Sequence, residues 1–257
     1  MTTNSNIELT NYLKELKLPT MRQYFQPFAQ RAEADRLPYE RYLLELAERE
    51  YEARRNNTIE RFLRESQLPR EKTLDSFDFQ RLPAATTKQF KALLDGAFLD
   101  RKENVLAFGN PGTGKTHLMC ALSQELIRKG RRVYFAKCTL LVQMLLKAKA
   151  DLRLAKTLKS LARFEAILID DIGYVHQNKD EIEVLFTLLA ERYERASVLI
   201  TSNLAFSQWD SIFKDQMMTA AAIDRLIHHS VILELNIPSY RMEQAKTKLN
   251  KEQSLKK

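Results

Sequence analysis

One short stretch of the chain combines the residue types that bind a triphosphate. It reads GNPGTGKT, follows the apolar run NVLAF and precedes the helix-length segment THLMCALSQELIRKG. Glycines let the backbone wrap closely around phosphates, so that amide groups and the start of the next helix face negative charge. The lysine would reach the β- and γ-phosphates, and the threonine hydroxyl would bind Mg²⁺. The predicted nucleotide contacts are Gly109, Asn110, Pro111, Gly112, Thr113, Gly114, Lys115, Thr116 and His117.

Two carboxylates follow a second apolar run, AILIDD, at Ala166 to Asp171. An acid at the tip of a strand beside a phosphate loop can hold Mg²⁺ directly or through water, and Asp170 has that position. Asp171, the next residue, points elsewhere and could orient the attacking water as a general base. Such a pair alone is weak evidence, but together with the phosphate loop it predicts ATP hydrolysis. Mg²⁺ is then expected at Thr116 and Asp170, and Lys115 joins the catalytic set.

A third run, SVLITSN, ends in Asn203. Its amide could hold the lytic water near the γ-phosphate, or it could simply cap the following turn, and the residues alone do not decide between the two. Guanine recognition would require N-K-x-D, whereas the chain reads Asn178-Lys179-Asp180-Glu181, so ATP is favoured over GTP. A metabolic P-loop kinase would need an acceptor site, and the sequence offers no evident one.

These motifs lie among strands and helices that must bring them together. Near-continuous apolar runs of strand length alternate with helix-length segments, which predicts an α/β domain with a five-stranded parallel sheet. An antiparallel α+β sheet is the competing reading, but no two runs are separated by a hairpin-length turn. The predicted strands are Asn104 to Gly109, Val133 to Lys137, Ala166 to Asp170, Ser197 to Asn203 and Val231 to Leu235.

The first part of the chain is helical throughout, because its apolar residues follow helical spacing up to about Leu68. Pro69, Pro83 and turn-forming polar residues then interrupt the periodicity. We therefore expect an N-terminal helical domain over 1–67, a linker over 68–87 and an ATPase domain over 88–257. Because the start has no signal-peptide pattern and no apolar run approaches membrane length, we expect a cytoplasmic protein with no membrane partner.

The positive charge is concentrated in one segment. The whole chain has a formal net charge of +8, whereas residues 128–163 contain eleven Lys and Arg against one Asp, a net of +10. Helical spacing places Lys149, Arg153, Lys156 and Arg163 on one predicted face. A solvated helix face is the alternative, but such faces usually interleave acids with bases. The DNA contacts predicted here are Lys147, Lys149, Arg153, Lys156, Lys159 and Arg163. A smaller cluster with Arg54 and Arg55 is divided evenly between DNA contact and docking to a protein.

The segments GNPGTGKTHL, ILIDDIGY, LITSN and IDRLIHHS, in this order and spacing, resemble the AAA+ ATPases of the IstB/DnaC type. LKLPTMRQYF, RRNNTIERFLRESQLP and TLDSFDF resemble the IstB-like transposition helpers more narrowly, so the similarity covers almost the whole chain. It implies an AAA+ domain without a full lid, since 22 residues follow VILEL. It also implies roles for single residues: Asp170 as the Mg²⁺ aspartate, Asp171 as the catalytic acid, Asn203 as the sensor, Arg225 as an arginine finger and Arg241 as a substitute for the lid arginine.

The same resemblance implies an activity and its partners. The expected protein is an ATPase that works as a homo-oligomer with ATP at subunit interfaces and is stimulated by DNA. It would bind duplex DNA largely without sequence preference and assist an insertion-sequence transposase in target selection and strand transfer. The alternative is a DnaC-type loader of a replicative helicase. AAA+ ATPases in general more often have Glu where this chain has Asp171, although related loaders and helpers carry Asp there, so the role is kept and slow turnover is expected.

Two adjacent histidines, His228 and His229, follow Arg225 in the stretch AAIDRLIHHS. Neighbouring residues on a helix point about 100° apart, and a two-histidine zinc site on a helix needs i, i+4 spacing. The pair is therefore predicted to end a helix, where imidazolium suits the helix dipole, and not to bind metal.

Overall fold

The computed structural model describes residues 2–174, 179–204, 209 and 226–243. The chain divides into two compact units, Met1–Arg61 and Phe62–Lys257. The division therefore falls before the expected boundary at residue 67. The expected linker over 68–87 lies inside the second unit, where Leu68 and Leu82 are buried. The side chain of Gln124 holds part of this stretch by donating hydrogen bonds to the carbonyls of Pro69, at 2.9 Å, and Lys72, at 3.0 Å.

The first unit is helical, as predicted. Its elements are α1 (Thr2–Glu15), α2 (Pro19–Ala34) and most of α3 (Tyr39–Glu65). Leu13, Phe25 and Leu46 form a small buried core, one residue from each helix. The core is small because only one stripe of each helix carries apolar residues that face the others.

A buried carboxylate also joins two of these helices. Glu50 on α3 accepts hydrogen bonds from the backbone N–H groups of Thr20, at 2.8 Å, and Met21, at 3.0 Å, in the first turn of α2. Burial opposes ionisation, but the hydrogen bonds from Met21 and Arg54 outweigh it and lower the pKa of Glu50. A lowered carboxyl pKa stabilises the fold at neutral pH, and this contribution is lost only as the pH falls through that pKa.

The second unit is built on the predicted five-stranded sheet. Its strands pair in the order β2-β3-β4-β1-β5 and every pairing is parallel. The three central strands are buried along their whole length, which explains their continuous apolar runs. Because all strands run the same way, the segments that follow β1, β3 and β4 meet at one edge of the sheet. The bounds are β1 (Asn104–Phe108), β2 (Val133–Lys137), β3 (Ala166–Asp170), β4 (Ser197–Ser202) and β5 (Ser230–Glu234).

Helices pack against the sheet and connect its strands. None of those in the described residues is long and apolar enough to cross a membrane. They are α4 (Ala84–Leu93), α5 (Ala97–Asp100), α6 (Lys115–Arg128), α7 (Cys138–Ala150), α8 (Leu154–Leu161) and α9 (Lys179–Arg192), with short 3-10 turns at Phe79–Arg81 and Ile172–Tyr174.

The predicted basic face on a single helix is wrong. The helix ends at Ala150 and a new one begins at Leu154, so Lys149 and Lys156 belong to different helices. Arg163 lies beyond the end of α8. Lys149 also turns toward α9, where its Nζ lies 2.9 Å from Glu183 and 3.4 Å from Asp180. The acids that balance Lys149 thus come from a distant part of the sequence.

Arg192 is a buried cation that ties several segments of the second unit together. It is 3% exposed and donates hydrogen bonds to the carbonyls of Phe164, at 3.0 Å, and Ser197, at 2.9 Å. Further bonds reach Leu161 and Glu165. Burial lowers the pKa of Arg192 to about 10, so the guanidinium stays charged at neutral pH.

We expect Arg192→Met to lower the free energy of unfolding of the second unit by about 2–4 kcal/mol, because several buried carbonyls would lose their donors. Urea denaturation followed by circular dichroism measures the change. Arg195→Met is the matched control, since that side chain is 75% exposed and pairs at the surface with Glu191. Equal stability of the two variants would contradict the structural role of Arg192.

Candidate active site

The phosphate loop connects β1 to α6 and bends at glycines. Gly109 and Gly112 have φ angles of 152° and 82°, and Gly114, with a φ of 97°, caps the start of α6. A Cβ atom at Gly109 would lie 2.5 Å from the carbonyl oxygen of Leu235, and one at Gly112 would lie 2.2 Å from the hydroxyl of Ser239. The first two glycines are therefore required both by the backbone angles and by the close approach of the chain after β5.

Lys115 lies at the base of this loop. Its ammonium group donates hydrogen bonds to the carbonyls of Gly109, at 2.7 Å, and Asn110, at 3.0 Å. Burial lowers the pKa of Lys115, while the charges of Asp171 and Asp170 act against that shift. The site thus holds a partly desolvated cation, which attracts phosphate oxygens more strongly than an exposed lysine would.

Asp170 ends β3 and faces the first turn of α6. The side chain is 3% exposed, and its Oδ1 accepts hydrogen bonds from the hydroxyls of Thr116, at 2.7 Å, and Thr201, at 2.6 Å. Asp170 and Thr116 were both predicted to hold Mg²⁺, and the structure brings the two together. A carboxylate beside a threonine hydroxyl supplies the oxygen ligands that Mg²⁺ prefers.

Asp171 adopts a different backbone conformation from its neighbour. Its φ angle of 58° is in the left-handed region, which non-glycine residues seldom occupy outside functional sites and turns. Its N–H donates to the hydroxyl of Thr201 at 2.9 Å, and its side chain lines the cleft beside the phosphate loop. Burial raises the pKa of Asp171 and so does the charge of Asp170, while Lys115 and Arg241 oppose the shift.

Asn203 follows β4 at the same edge of the sheet and also lines the cleft. Its Oδ1 is buried and has no hydrogen-bond partner among the described residues. The capping role that the sequence left open is filled by its neighbour, since the Leu204 N–H donates to the Ser202 hydroxyl at 3.1 Å. The Oδ1 atom of Asn203 lies against Gly173, where an added Cβ would be 2.4 Å away, so the role of Asn203 toward a γ-phosphate stays a prediction.

The cleft has a volume of about 300 Å³ and extends beyond the phosphate loop. Its far wall is formed by residues that were not predicted from the sequence as site residues: Lys72, Ser76, Phe77, Asp78, Arg81, Ile237 and Tyr240. Arg81 lies 4.9 Å from the centre of the Tyr240 ring and donates to Glu243 at 2.6 Å. The Tyr240 N–H in turn donates to the carbonyl of Gly112 at 3.0 Å. Arg241, next in the chain, lines the same cleft.

His117 connects the phosphate-loop helix to this wall. Its Nε2 lies 2.9 Å from the carbonyl of Thr73 and 3.1 Å from the hydroxyl of Ser76. Its ring also meets Phe77 edge-on at a centroid distance of 5.3 Å. His117 lines the cleft and supports the segment that forms its side, while its contact with the nucleotide stays a prediction.

Thr201 is a positioning residue that the sequence did not reveal. It is fully buried, donates to Asp170 and accepts from the Asp171 N–H, so one hydroxyl orients both acids. We expect Thr201→Val to lower kcat for ATP hydrolysis about 10- to 100-fold and to raise the Mg²⁺ concentration needed for half-maximal rate, because it removes an outer-shell hydrogen bond. Thr201→Ser should restore most of the rate. A Mg²⁺ titration of the three proteins that gives identical curves would contradict this role.

The other predicted residues have varied surroundings. Arg153, Lys156, Lys159 and Arg163 are exposed, as is Lys147. Arg54 bonds to Glu50 at 2.8 Å and also to the carbonyl of Lys17, so its guanidinium is engaged within the first unit. Arg55 is exposed and also has a partner. Arg225 lies outside the described residues.

The histidine pair follows the end of a helical stretch, as predicted. Residues 226–227 are helical, His228 and His229 form the turn between them and β5, and the two ring centroids are 4.2 Å apart. Together with Glu194 they bring three possible ligand atoms within 4.8 Å of one another. All three side chains are exposed, and the absence of a metal here stays a prediction.

Comparisons with known proteins find similarity to ATP-binding proteins of insertion sequences. The model of one family, described as IstB-like ATP binding protein, matches residues 11–248. An insertion sequence protein of Sinorhizobium fredii (strain NBRC 101917 / NGR234), named for ATP binding, is 42% identical over 91% of this chain and 78% of its own length. The corresponding protein of insertion sequence IS21 from Pseudomonas aeruginosa is 36% identical over 92% of this chain and 89% of its own length. Among solved structures, the DnaC helicase loader superposes with a TM-score of 0.54 at 18% identity, over 66% of this chain and 98% of that chain. At that identity the likeness concerns the fold alone.

Proposed function

We propose a function on the premise that this chain belongs to the IstB-like ATP-binding protein family. It is an ATPase whose nucleotide state controls binding to duplex DNA, and it assists an insertion-sequence transposase in choosing target DNA and in strand transfer. The observation that carries the ATPase part is the meeting of Lys115, Asp170 and Asp171 beside one cleft. The names of the relatives, which place them in insertion sequences, support the transposition part.

Each residue of the site has a task that its surroundings support. Backbone amides of the phosphate loop and the ammonium of Lys115 bind the phosphates. Thr116 and Asp170 would hold Mg²⁺, which neutralises charge that develops on the phosphate oxygens. Asp171 would accept a proton from the attacking water, and Asn203, which lines the same cleft, would orient that water with its amide. Phe77, Arg81 and Tyr240 form the side of the cleft that would receive the base.

The surface of α8 supports DNA binding. Leu154 and Leu158 pack against the core and Leu161 is buried, so the apolar side of this short helix faces inward. Lys156 and Lys159 are exposed on the rest of it and Arg153 precedes it. None of these three cations pairs with a carboxylate within the described part of the chain. Cations of this kind bind phosphates regardless of sequence, and the binding weakens steeply with salt.

We expect the triple variant Arg153→Gln, Lys156→Gln, Lys159→Gln to bind duplex DNA about 10- to 100-fold more weakly at 100 mM salt. The slope of log affinity against log salt concentration is negative, and it should become shallower by about three, since three phosphate contacts are removed. Fluorescence anisotropy over a salt series measures both quantities. The control is Lys88→Gln with Lys91→Gln on α4, away from the proposed surface. An unchanged slope in the triple variant would exclude α8 as the DNA contact.

Assembly completes the proposed site. Arg225, supplied by a neighbouring subunit, would stabilise charge on the γ-phosphate, and Arg241 would sense the nucleotide from within the same subunit. The helical unit with Arg54 and Arg55 would contact DNA, the transposase or both. Activity would then depend on oligomerisation and rise in the presence of DNA.

The second candidate is a loader of a replicative helicase, favoured by the fold shared with the DnaC helicase loader. The two functions differ in the nucleic acid that they require. We expect the protein with Mg²⁺ and a non-hydrolysable ATP analogue to bind a 40-base-pair duplex at least tenfold more tightly than the same length of single strand. A preference for the single strand, together with capture of a helicase ring, would support the loader and contradict the transposition helper.

A further inference from the structure

Leu152 occupies an unusual place for a leucine. It lies between α7 and α8 with 95% of its surface exposed, more than any other large apolar residue in the described part of the chain. Its φ angle is 55°, in the left-handed region. Other described residues with positive φ are glycines or have polar side chains, so Leu152 is the apolar exception among them.

The local backbone would suit glycine better. The Arg153 N–H donates to the carbonyl of Ala148 at 2.7 Å and the Leu152 N–H to that of Lys149 at 3.1 Å, which is the usual paired ending of a helix. The preceding helix of the sheet domain, α6, ends with the same pair of bonds, and there the left-handed position is Gly130. A leucine at this position gains nothing from the backbone and nothing from burial, which indicates that it serves a contact outside the chain.

The charges nearby indicate the chemistry of that contact. Lys147 precedes Leu152 and Arg153 and Lys156 follow it, all three exposed and without a carboxylate partner among the described residues. Asp151 is the one acid in the turn. An exposed leucine side chain surrounded by cations is complementary to a partner with phosphates on its surface and stacked aromatic rings in its interior. Duplex DNA has this arrangement, whereas a protein partner would need an acidic rim around an apolar pocket.

We propose that Leu152 is an apolar wedge that enters duplex DNA at a base step while the neighbouring cations bind the flanking phosphates. Leucine is among the side chains that proteins insert between base pairs, where it partly unstacks them and bends the duplex. This inference rests on the proposed DNA-binding function and adds to it a way of selecting target sites, since easily unstacked steps would be preferred.

The test compares Leu152→Gly with the unchanged protein, because glycine fits the left-handed position and leaves the flanking cations in place. Each protein, with Mg²⁺ and a non-hydrolysable ATP analogue, is titrated with a 30-base-pair duplex and with the same duplex carrying one central mismatch. The mismatch lowers the cost of unstacking, so the unchanged protein should bind it about 5- to 20-fold more tightly. Leu152→Gly should bind both within twofold, and end-to-end energy transfer should show a smaller bend. Leu140→Ala, at an exposed leucine within α7, is the control and should behave as the unchanged protein.

Several results would overturn the wedge. A Leu152→Gly protein that keeps the mismatch preference and the bend would exclude insertion. Loss of assembly in sedimentation would mean that Leu152 contacts another copy of this chain, and unchanged DNA binding with loss of transposase stimulation would mean that it contacts the transposase. If the unchanged protein fails to bind duplex DNA, the proposed function fails first. If it binds duplex DNA without a mismatch preference, the wedge alone fails.

Discussion

Replacing Asp171 with asparagine is expected to lower kcat for ATP hydrolysis by about 10²- to 10⁴-fold, the range for loss of a general base. Binding of ATP should change little, because the phosphate loop, Lys115 and Asp170 remain. Asparagine has nearly the same shape and can keep the left-handed backbone that Asp171 adopts at φ 58°. Single-turnover hydrolysis and equilibrium binding of a fluorescent ATP analogue measure the two quantities separately.

Two further variants make the Asp171 result specific. Glu191→Gln removes an exposed carboxylate remote from the cleft and should leave kcat unchanged. Asp171→Glu supplies the acid one methylene longer and should retain measurable turnover. If Asp171→Asn hydrolyses ATP at the rate of the unchanged protein, the general base lies elsewhere.

Loss of the predicted arginine finger, Arg225, is expected to lower the rate of ATP hydrolysis at least as much as Asp171→Asn does. We expect Arg225→Ala to bind ATP normally and to lose about 10³- to 10⁵-fold in hydrolysis, the range measured for fingers supplied in trans. The physical reason is that the guanidinium stabilises charge that exists only in the transition state. Because Arg225 would act on the nucleotide bound by a neighbouring subunit, the loss of hydrolysis arises at the interface between two subunits.

A mixing experiment separates this role from a structural one. Lys115→Ala should not bind nucleotide but keeps Arg225, whereas Arg225→Ala binds nucleotide but lacks the finger. Equal mixtures should recover part of the activity that neither variant has alone. If mixtures stay inactive although both variants assemble, or if an isolated monomer hydrolyses ATP at the full rate, Arg225 is not a finger.

The central strands could be predicted because they are buried on both faces and so appear as unbroken apolar runs. The phosphate loop could be predicted because its glycines and Lys115 are contiguous. That Thr116 and Asp170 lie close together could also be expected, since their motifs occur at the carboxyl ends of parallel strands, and the structure places the Thr116 hydroxyl 2.7 Å from Asp170. Nothing in the sequence, however, specified that β4 lies between β1 and β3.

The strand order explains the residues that were missed. Thr201 acts on both acids only because β4 is paired with β3. The wall with Phe77 and Tyr240 joins segments that are far apart in the chain. The break between α7 and α8 could not be predicted because it contains no glycine or proline. Leu152 takes the left-handed conformation there instead. Lys149 was assigned to DNA because its partners on α9 cannot be identified from local charge patterns.

The most direct measurement of the central claim is the affinity of the protein for duplex DNA in three nucleotide states: none, ADP, and a non-hydrolysable ATP analogue with Mg²⁺. Filter binding at fixed salt gives the three dissociation constants. The account predicts tight, salt-sensitive binding with the analogue and binding at least tenfold weaker in the other two states, with Lys115→Ala weak in all three. Equal affinity in every state would contradict the claim that ATP controls the engagement of DNA.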